Sequence, residues 1–333
     1  MKSFIDIKMD TVTSDLKDYK TAIEQFLDSR ALESFPSNLF DAVHHIMTLD
    51  GKRLRPMMVL MTAKGFGISQ EDAMSAAVSI EVFHNFTLVH DDIMDKAVLR
   101  RGKVTVHEKF GIDKAIVTGD AMLPHAVSLL IKGNEEKAGD LLNCFNKMAK
   151  EVMEGQQYDM EFEERNDVAV QEYMNMIKLK TSVLFGTACE LGGIIGGADD
   201  EDRNHLYHFG LYSGLAFQIM DDYLDTFGDE NFGKRIGGDI LLNKKTFLLV
   251  SAMQTASPEQ KVKIFSLFDI KDEEKKIESF QNLYREMKIP QIALDTMEEL
   301  HKKSVNAIMS SSLPDEDKKS IQHLGEVMLR RTK

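Results

Sequence analysis

Apolar residues recur every three or four positions along nearly the whole chain, and the two-residue alternation of a half-buried strand is scarce, so the sequence predicts an all-α protein. Only six prolines interrupt its 333 residues. Residues 10 to 29 read as a surface helix, and Pro36 with Ser37 opens a second that runs through LFDAVHHIMTL to a break at Asp50 and Gly51. After GKRLRP, an apolar helix runs from Pro56 to about Lys64, and Ser69 caps a long helix through AMSAAVSIEVFHNFTLVHDDIMD. RRGKVTVHEKFG reads as a loop. In KAIVTGDAMLPHAVSLLIKG, Pro124 is expected to kink or break the helix. Residues 134 to 164 form one helix and 168 to 195 another, which ends in GGIIGG, where Gly192, Gly193, Gly196 and Gly197 supply a helix end and a tight turn. Asp199 and Asp200 cap a helix through HLYHFGLYSGLAFQIMDDYLD, the loop TFGDENFGKRIGGD leads to LLNKKTFLLVSAM, and residues 257 to 333 hold three or four amphipathic helices. No linker or low-complexity stretch divides the chain, so residues 1–333 are expected to form a single large helical-bundle domain.

Composition narrows the function. The 43% hydrophobic content is enough for a sizeable core. With 41 Lys and Arg against 54 Asp and Glu, the net charge of −13 disfavours nucleic acid or an anionic membrane as a partner of the whole surface, so local basic clusters read as sites. Cys144 and Cys189 sit in apolar helical contexts and form no CxxC, which fits a reduced cytoplasm without a disulfide framework. Nowhere do eighteen apolar residues run together and the start carries acids early, so a soluble chain without integral membrane association is expected.

The chemistry concentrates in two matched carboxylate clusters. Asp91, Asp92 and Asp95 follow the apolar LV, and Asp221, Asp222 and Asp225 follow QIM, both with i, i+1, i+4 spacing that places the first and last on one helix face. A single acidic cluster is usually a solvated face; two with apolar lead-ins are better explained as facing arrays of hard oxygen ligands for Mg²⁺ across a cavity. Basic residues gather at Lys52, Arg53 and Arg55; at Arg100, Arg101 and Lys103; at Lys178 and Lys180; and at Lys234, Arg235, Lys244 and Lys245. Flanking the aspartate helices, they suit diphosphates, for which arginine is a bidentate partner. Other motifs fail. GDILLNKKT has Asn243 where a phosphate loop needs its second glycine, GGIIGG is no dinucleotide fingerprint, and neither an HD phosphohydrolase reading of His90-Asp91 nor an EF-hand accounts for the second cluster. His84 and His90 read as core or substrate-contacting residues.

GKRLRP at 51 to 56, HNFTLVHDDIMD with LRRGKVTVH at 84 to 107, GD at 119 and 120, GQQYD at 155 to 159, KT at 180 and 181, FQIMDDYLD at 217 to 225, GK at 233 and 234, GGD at 237 to 239 and KKT at 244 to 246 stand in the order found in trans-isoprenyl diphosphate synthases. The chain resembles that family, the polyprenyl synthetases, over about residues 45 to 250. The resemblance implies an all-helical, homodimeric isoprenoid-synthase fold with a deep central cavity. It also implies head-to-tail 1'-4 condensation of isopentenyl diphosphate with dimethylallyl, geranyl or farnesyl diphosphate. By the same resemblance, Asp91, Asp95 and Asp221 hold Mg²⁺, three ions in all, on the allylic diphosphate, supported by Asp92, Asp222 and Asp225. Arg100, Lys180, Thr181, Gln218, Lys234 and Lys244 contact that group, and Lys52, Arg55, His84 and Arg101 bind isopentenyl diphosphate.

Product length follows from the same likeness. The growing chain extends from Asp91 toward the helix N-terminus, so Thr87 and Phe86, four and five residues earlier and roughly 6 to 8 Å below, are expected to form a floor. One aromatic at the fifth position resembles short-chain geranylgeranyl enzymes, with farnesyl the next alternative. A class I terpene cyclase would carry an N/D-D-x-x-S/T-x-x-x-E second motif, whereas this chain has Asp225 and Asp229 there. A non-catalytic partner subunit would have no reason to keep mutually repelling carboxylates.

Overall fold

The computed structural model describes residues 12–28, 37–228 and 236–329. It is 82% helical. The helices are α1 Val12–Phe26, α2 Ser37–Met47, α3 Leu54–Gly65, α4 Gln70–Met94, α5 Val106–Phe110, α6 Ile112–Ile131, α7 Ala138–Glu164, α8 Val170–Ile177 and α9 Val183–Gly196, followed by α10 Asp200–Phe227, α11 Gly238–Leu241, α12 Phe247–Thr255, α13 Pro258–Phe268, α14 Glu273–Glu286, α15 Ile289–Ser310 and α16 Asp315–Leu329. Among the described residues the sole sheet is a hairpin, Leu99–Arg100 (β1) against Lys103–Val104 (β2), inside the stretch expected to be loop. A two-residue ladder has no period to read.

The chain divides into two compact units, each assembled from several segments. The first comprises the residues up to Phe145 with Ala188–Asn204 and Ser312–Leu324; the second comprises Asn146–Thr187, His205–Ser311 and the residues from Gly325 on. In the first, α4 is buried along most of its length, with Ala73, Ala76, Ala77, Val78, Ile80 and Phe83 inaccessible, and it packs chiefly on α6 and α3. Ser69 caps α4 as expected, its hydroxyl accepting from Asp72 N at 3.2 Å. In the second unit, one core gathers Phe162, Tyr173, Ile177, Ile219, Phe247 and Met297, and another gathers Leu248, Ile264, Phe280, Tyr284 and Ile289.

Two expectations are corrected. Of the kink or break expected at Pro124, the break does not occur: α6 runs unbroken through it. The bond lost there is the one to the carbonyl of Asp120, an exposed residue that water can satisfy. Gly192 and Gly196 lie within α9 and supply close contact, not a turn: a Cβ on Gly192 would collide with Thr62 Oγ1 and the backbone of Val59 in α3, and one on Gly196 with Phe66. Gly197, at φ 79°, makes the turn. Gly192→Ala is therefore expected to overpack the α3–α9 contact and to cost about 1 to 3 kcal/mol, read as a lower urea midpoint at unchanged slope.

Candidate active site

The first cluster lies at the C-terminal end of α4. Asp91 is half-buried and Asp95, the C-cap, is exposed, with its N–H donating to the Asp91 carbonyl at 2.8 Å. Asp92 differs from both. Only 1% exposed, it accepts through Oδ1 from Arg100 Nε at 2.8 Å and Nη2 at 2.7 Å, while Arg100 Nη2 lies 3.7 Å from Asp91 Oδ2. Burial pushes the Asp92 carboxyl up against the pull of Arg100, and neighbouring Asp91 pushes it further. Its second oxygen, Oδ2, is buried without a hydrogen-bond partner among the described residues.

The GKRLRP segment sits beside α4. Arg53, in left-handed conformation at φ 50°, is buried and donates to Glu81 Oε1 at 2.6 Å and to the carbonyls of Met47 and Leu49 at 2.8 and 2.9 Å. Arg101 Nη1 donates to the Asp50 carbonyl at 2.7 Å, and a Cβ on Gly51 would stand 2.6 Å from that nitrogen, so the glycine makes room for the arginine. Lys52 is exposed on the same loop. Desolvation pulls Arg55 down to about 10, against the attraction of Glu81. Desolvation, then Arg55, Arg101, Arg100 and Arg53, holds His84 well below the ordinary imidazole value, so this ring is neutral in a field of four guanidinium groups. Such a cationic pocket is ready for a polyanion.

Phe86 lies on another face of α4. Its ring is 5.0 Å from His90 and 5.5 Å from Phe83, which in turn meets Phe145 at 5.2 Å. A Cβ on Gly119 would strike the His90 ring, which explains the glycine of the GD pair. Thr87, by helical spacing, shares the face of His84 and Asp91, and its hydroxyl donates to the His84 carbonyl at 2.7 Å.

The second cluster lies at the C-terminal end of α10 and repeats the plan. Asp221 and Asp225 are half-buried, while Asp222 is buried at 3% exposure. The Asp222 carboxylate accepts from the Tyr173 hydroxyl, from Gln218 Nε2 at 3.1 Å and from Phe247 N at 2.7 Å. Burial pushes Asp222 up to about 8, with Tyr173 opposing and Asp239 adding to the rise. Thr181 Oγ1 donates to Gln218 Oε1 at 3.2 Å, which extends the network to the KT pair. Lys180 Nζ donates to Asp159 Oδ2 at 2.6 Å. Both Lys180 and Thr181 lie on a π-helical turn, Lys178–Ser182, between α8 and α9. Gly155 lets the α7 backbone approach that turn, where any Cβ would strike the backbone of Lys180. GQQYD and KT are thus one construction.

Asp225 Oδ2 accepts from Asp239 N at 3.0 Å, and Lys244 N in turn donates to the Asp239 carbonyl at 2.9 Å. Lys234 and Arg235 lie outside the described residues. Thr246 caps α12 by accepting from Leu249 N at 3.3 Å, so GDILLNKKT is a turn and a cap. The sequence reading missed Glu81, Tyr173 and Asp159 as site-building residues. Glu81 carries a signal: a carboxylate inside AMSAAVSIEVF demands a cation, and Arg53 supplies it.

Mg²⁺ fits these residues. Among the described residues no three acidic, histidine or cysteine side chains are grouped so as to hold a metal ion by themselves. Mg²⁺ characteristically takes only one or two carboxylates and completes its shell with water and phosphate oxygens, and an orphaned, buried Asp92 oxygen beside Asp91 adds to the local demand for positive charge.

A sequence profile of the polyprenyl synthetases matches residues 36–287. The chain belongs to the polyprenyl synthetase family. A geranylgeranyl diphosphate synthase of Saccharolobus solfataricus is 40% identical over 274 residues, covering 79% of this chain and 82% of the relative. One from Sulfolobus acidocaldarius is 35% identical over 302 residues, covering 89% and 91%. Among solved structures, a geranylgeranyl pyrophosphate synthetase of Pyrococcus horikoshii superposes with a TM-score of 0.90 at 33% identity, covering 96% of this chain and 98% of that one. The all-helical isoprenoid-synthase fold expected from the motifs is the fold observed.

Two outcomes test the site's electrostatics. Arg53→Met strands Glu81 in the core and is expected to cost about 3 to 5 kcal/mol in chemical denaturation, most of it recovered when Glu81→Met is added. Because the folded-state pKa of His84 lies below its ordinary value of 6.5, the unfolded chain takes up the proton first and stability is lost as pH falls through that value. The His84 ring resonances are expected to show no titration near 6.5.

Proposed function

We propose that the chain condenses isopentenyl diphosphate with allylic diphosphates, and that its principal product is geranylgeranyl diphosphate. The observation that carries the reading is the repeated plan of the two aspartate clusters. In each, an inner carboxylate is buried and anchored, by Arg100 at Asp92 and by Tyr173, Gln218 and Phe247 N at Asp222, while the outer two stay accessible one helical turn apart. Asp91, Asp95 and Asp221 are the proposed Mg²⁺ ligands, with three ions as the expected number. Bound there, Mg²⁺ supplies Lewis-acid neutralisation of the departing diphosphate. Lys180, Thr181, Gln218, Lys244 and Lys234 are assigned to that same diphosphate. Arg100, already forked onto Asp92, contributes mainly through its charge.

Lys52, Arg55 and Arg101 are assigned to the diphosphate of isopentenyl diphosphate, with neutral His84 able to donate a hydrogen bond without adding to the cationic repulsion. The cationic repulsion that adds to desolvation at His84, and that Arg101 exerts on Arg55, is relieved when an anion binds. The isopentenyl double bond then attacks C1 of the allylic cation, a carbon–carbon bond forms, and the proton lost goes to the released pyrophosphate. No protein nucleophile is required, but water must be excluded.

Neither compact unit is a continuous segment, which supports treating both as parts of one catalytic domain. A homodimer is supported by the outward Ile112, Ile116 and Val117 of α6, an apolar stripe suited to a second copy. α6 is also the one described helix long and apolar enough to cross a membrane by composition. Cys144 and Cys189, both thiols on helices, support a cytoplasmic setting. Incubating the protein with Mg²⁺, isopentenyl diphosphate and dimethylallyl, geranyl or farnesyl diphosphate is expected to yield a C20 prenyl diphosphate. A cyclised hydrocarbon, a C15 product or no turnover counts against it. Phe86→Ala, which empties the space between Phe83 and His90, is expected to lengthen the product; an unchanged chain length removes Phe86, and with it Thr87, from the floor.

A further inference from the structure

Asp225 anchors the start of α11 as well as completing a cluster. Its carbonyl accepts from Gly237 N at 2.6 Å and its Oδ2 from Asp239 N at 3.0 Å, so the start of α11 is pinned onto the end of α10. Three successive contacts from α14 hold that anchorage. Gln281 Nε2 donates to the carbonyl of Thr226 at 2.7 Å, one residue beyond Asp225. Ile277 packs on Gly237 so closely that a Cβ there would lie 2.6 Å from its Cγ1. Buried Lys276 donates to the carbonyls of Leu241, at the end of α11, and Phe268, at 3.4 and 3.2 Å. Positions 277 and 281 are one helical turn apart and share a face.

Thr226 lies in the last turn of α10, where carbonyls have no intrahelical partner. An amide donor from another helix satisfies one of them and so resists fraying of the turn that carries Asp221 and Asp225. We propose that α14 positions the second carboxylate cluster, with Gln281 and Ile277 as positioning residues that raise affinity for a metal-bound diphosphate without touching it. The proposal rests on the reading that this cluster binds Mg²⁺ and diphosphate.

The test compares wild type with Gln281→Met, which keeps the length of the side chain but removes the donor. Calorimetry of inorganic pyrophosphate, taken as the Mg²⁺-dependent part of binding, is expected to show a loss of about five- to tenfold in the variant, the worth of one such hydrogen bond. In turnover, KM for the allylic diphosphate is expected to rise by a similar factor with KM for isopentenyl diphosphate unchanged. Ile277→Val, which withdraws one methylene, is expected to move the same constants in the same direction by about twofold, and it decides the matter if the first variant does not fold. Unchanged pyrophosphate affinity in the variants, or an equal rise in both KM values, overturns the proposal. A wild type that binds pyrophosphate more tightly than the variant yet forms no prenyl product overturns the prenyltransfer reading alone.

Discussion

Carboxylates on adjacent positions of a helix repel one another, and so do guanidinium groups gathered beside an imidazole; the whole arrangement depends on placing a few opposite charges inside the protein to hold those arrays in the absence of substrate. Arg100 serves the first aspartate cluster by clasping Asp92, and Glu81 serves the arginine pocket by clasping Arg53. In the second cluster the compensation is partly neutral, since Tyr173, Gln218 and a backbone amide surround an Asp222 whose burial favours its protonated form. Each buried partner is matched closely enough to keep its array in place. None cancels the array, and the surplus charge that remains is what the proposed metal-bound diphosphate would satisfy.

Glycines supply the other half of the construction. The motif letters GQQYD and KT are separate in sequence, yet Gly155 exists to let the α7 backbone meet the turn on which Lys180 sits, and Asp159 of the same motif then pairs with that lysine. Gly51 does the equivalent for Arg101, and Gly119 for His90. Where a side chain must be aimed within a few tenths of an ångström, a backbone with no Cβ is the simplest way to bring two helices close enough.

The helices were legible because a 3.6-residue apolar period persists over tens of residues and because caps such as Ser69 and Asp199 mark their starts. The aspartates were legible as a pair because their spacing repeats. What the sequence did not show depends on tertiary partners. Nothing local distinguishes Asp92 from Asp91, although one is sealed against Arg100 and the other half open, and nothing local announces that Tyr173 will reach Asp222, 49 residues away. GGIIGG does end the helix, with Gly197 in the turn, but Gly192 and Gly196 serve close helix contact, which glycine signals with the same letter; only Thr62 and Phe66 across α9 separate the two uses. Of the kink or break expected at Pro124, the break does not occur because the carbonyl left without a partner belongs to exposed Asp120 and meets water.

The interleaving of the two compact units bears on how the protein is made. Asp202, buried in the first unit, receives the backbone N–H of Ser312 at 2.7 Å together with its hydroxyl, and Leu313 fills the space left by Gly65. These seals join residues more than a hundred positions apart. A ribosome working from the N-terminus therefore releases the end of α3 long before Leu313, which packs on it, has been translated. The nascent chain must carry that unfinished apolar surface through most of its synthesis, which makes the early helices a natural client for a holding chaperone and makes late truncations more damaging than the distance from the aspartates would suggest.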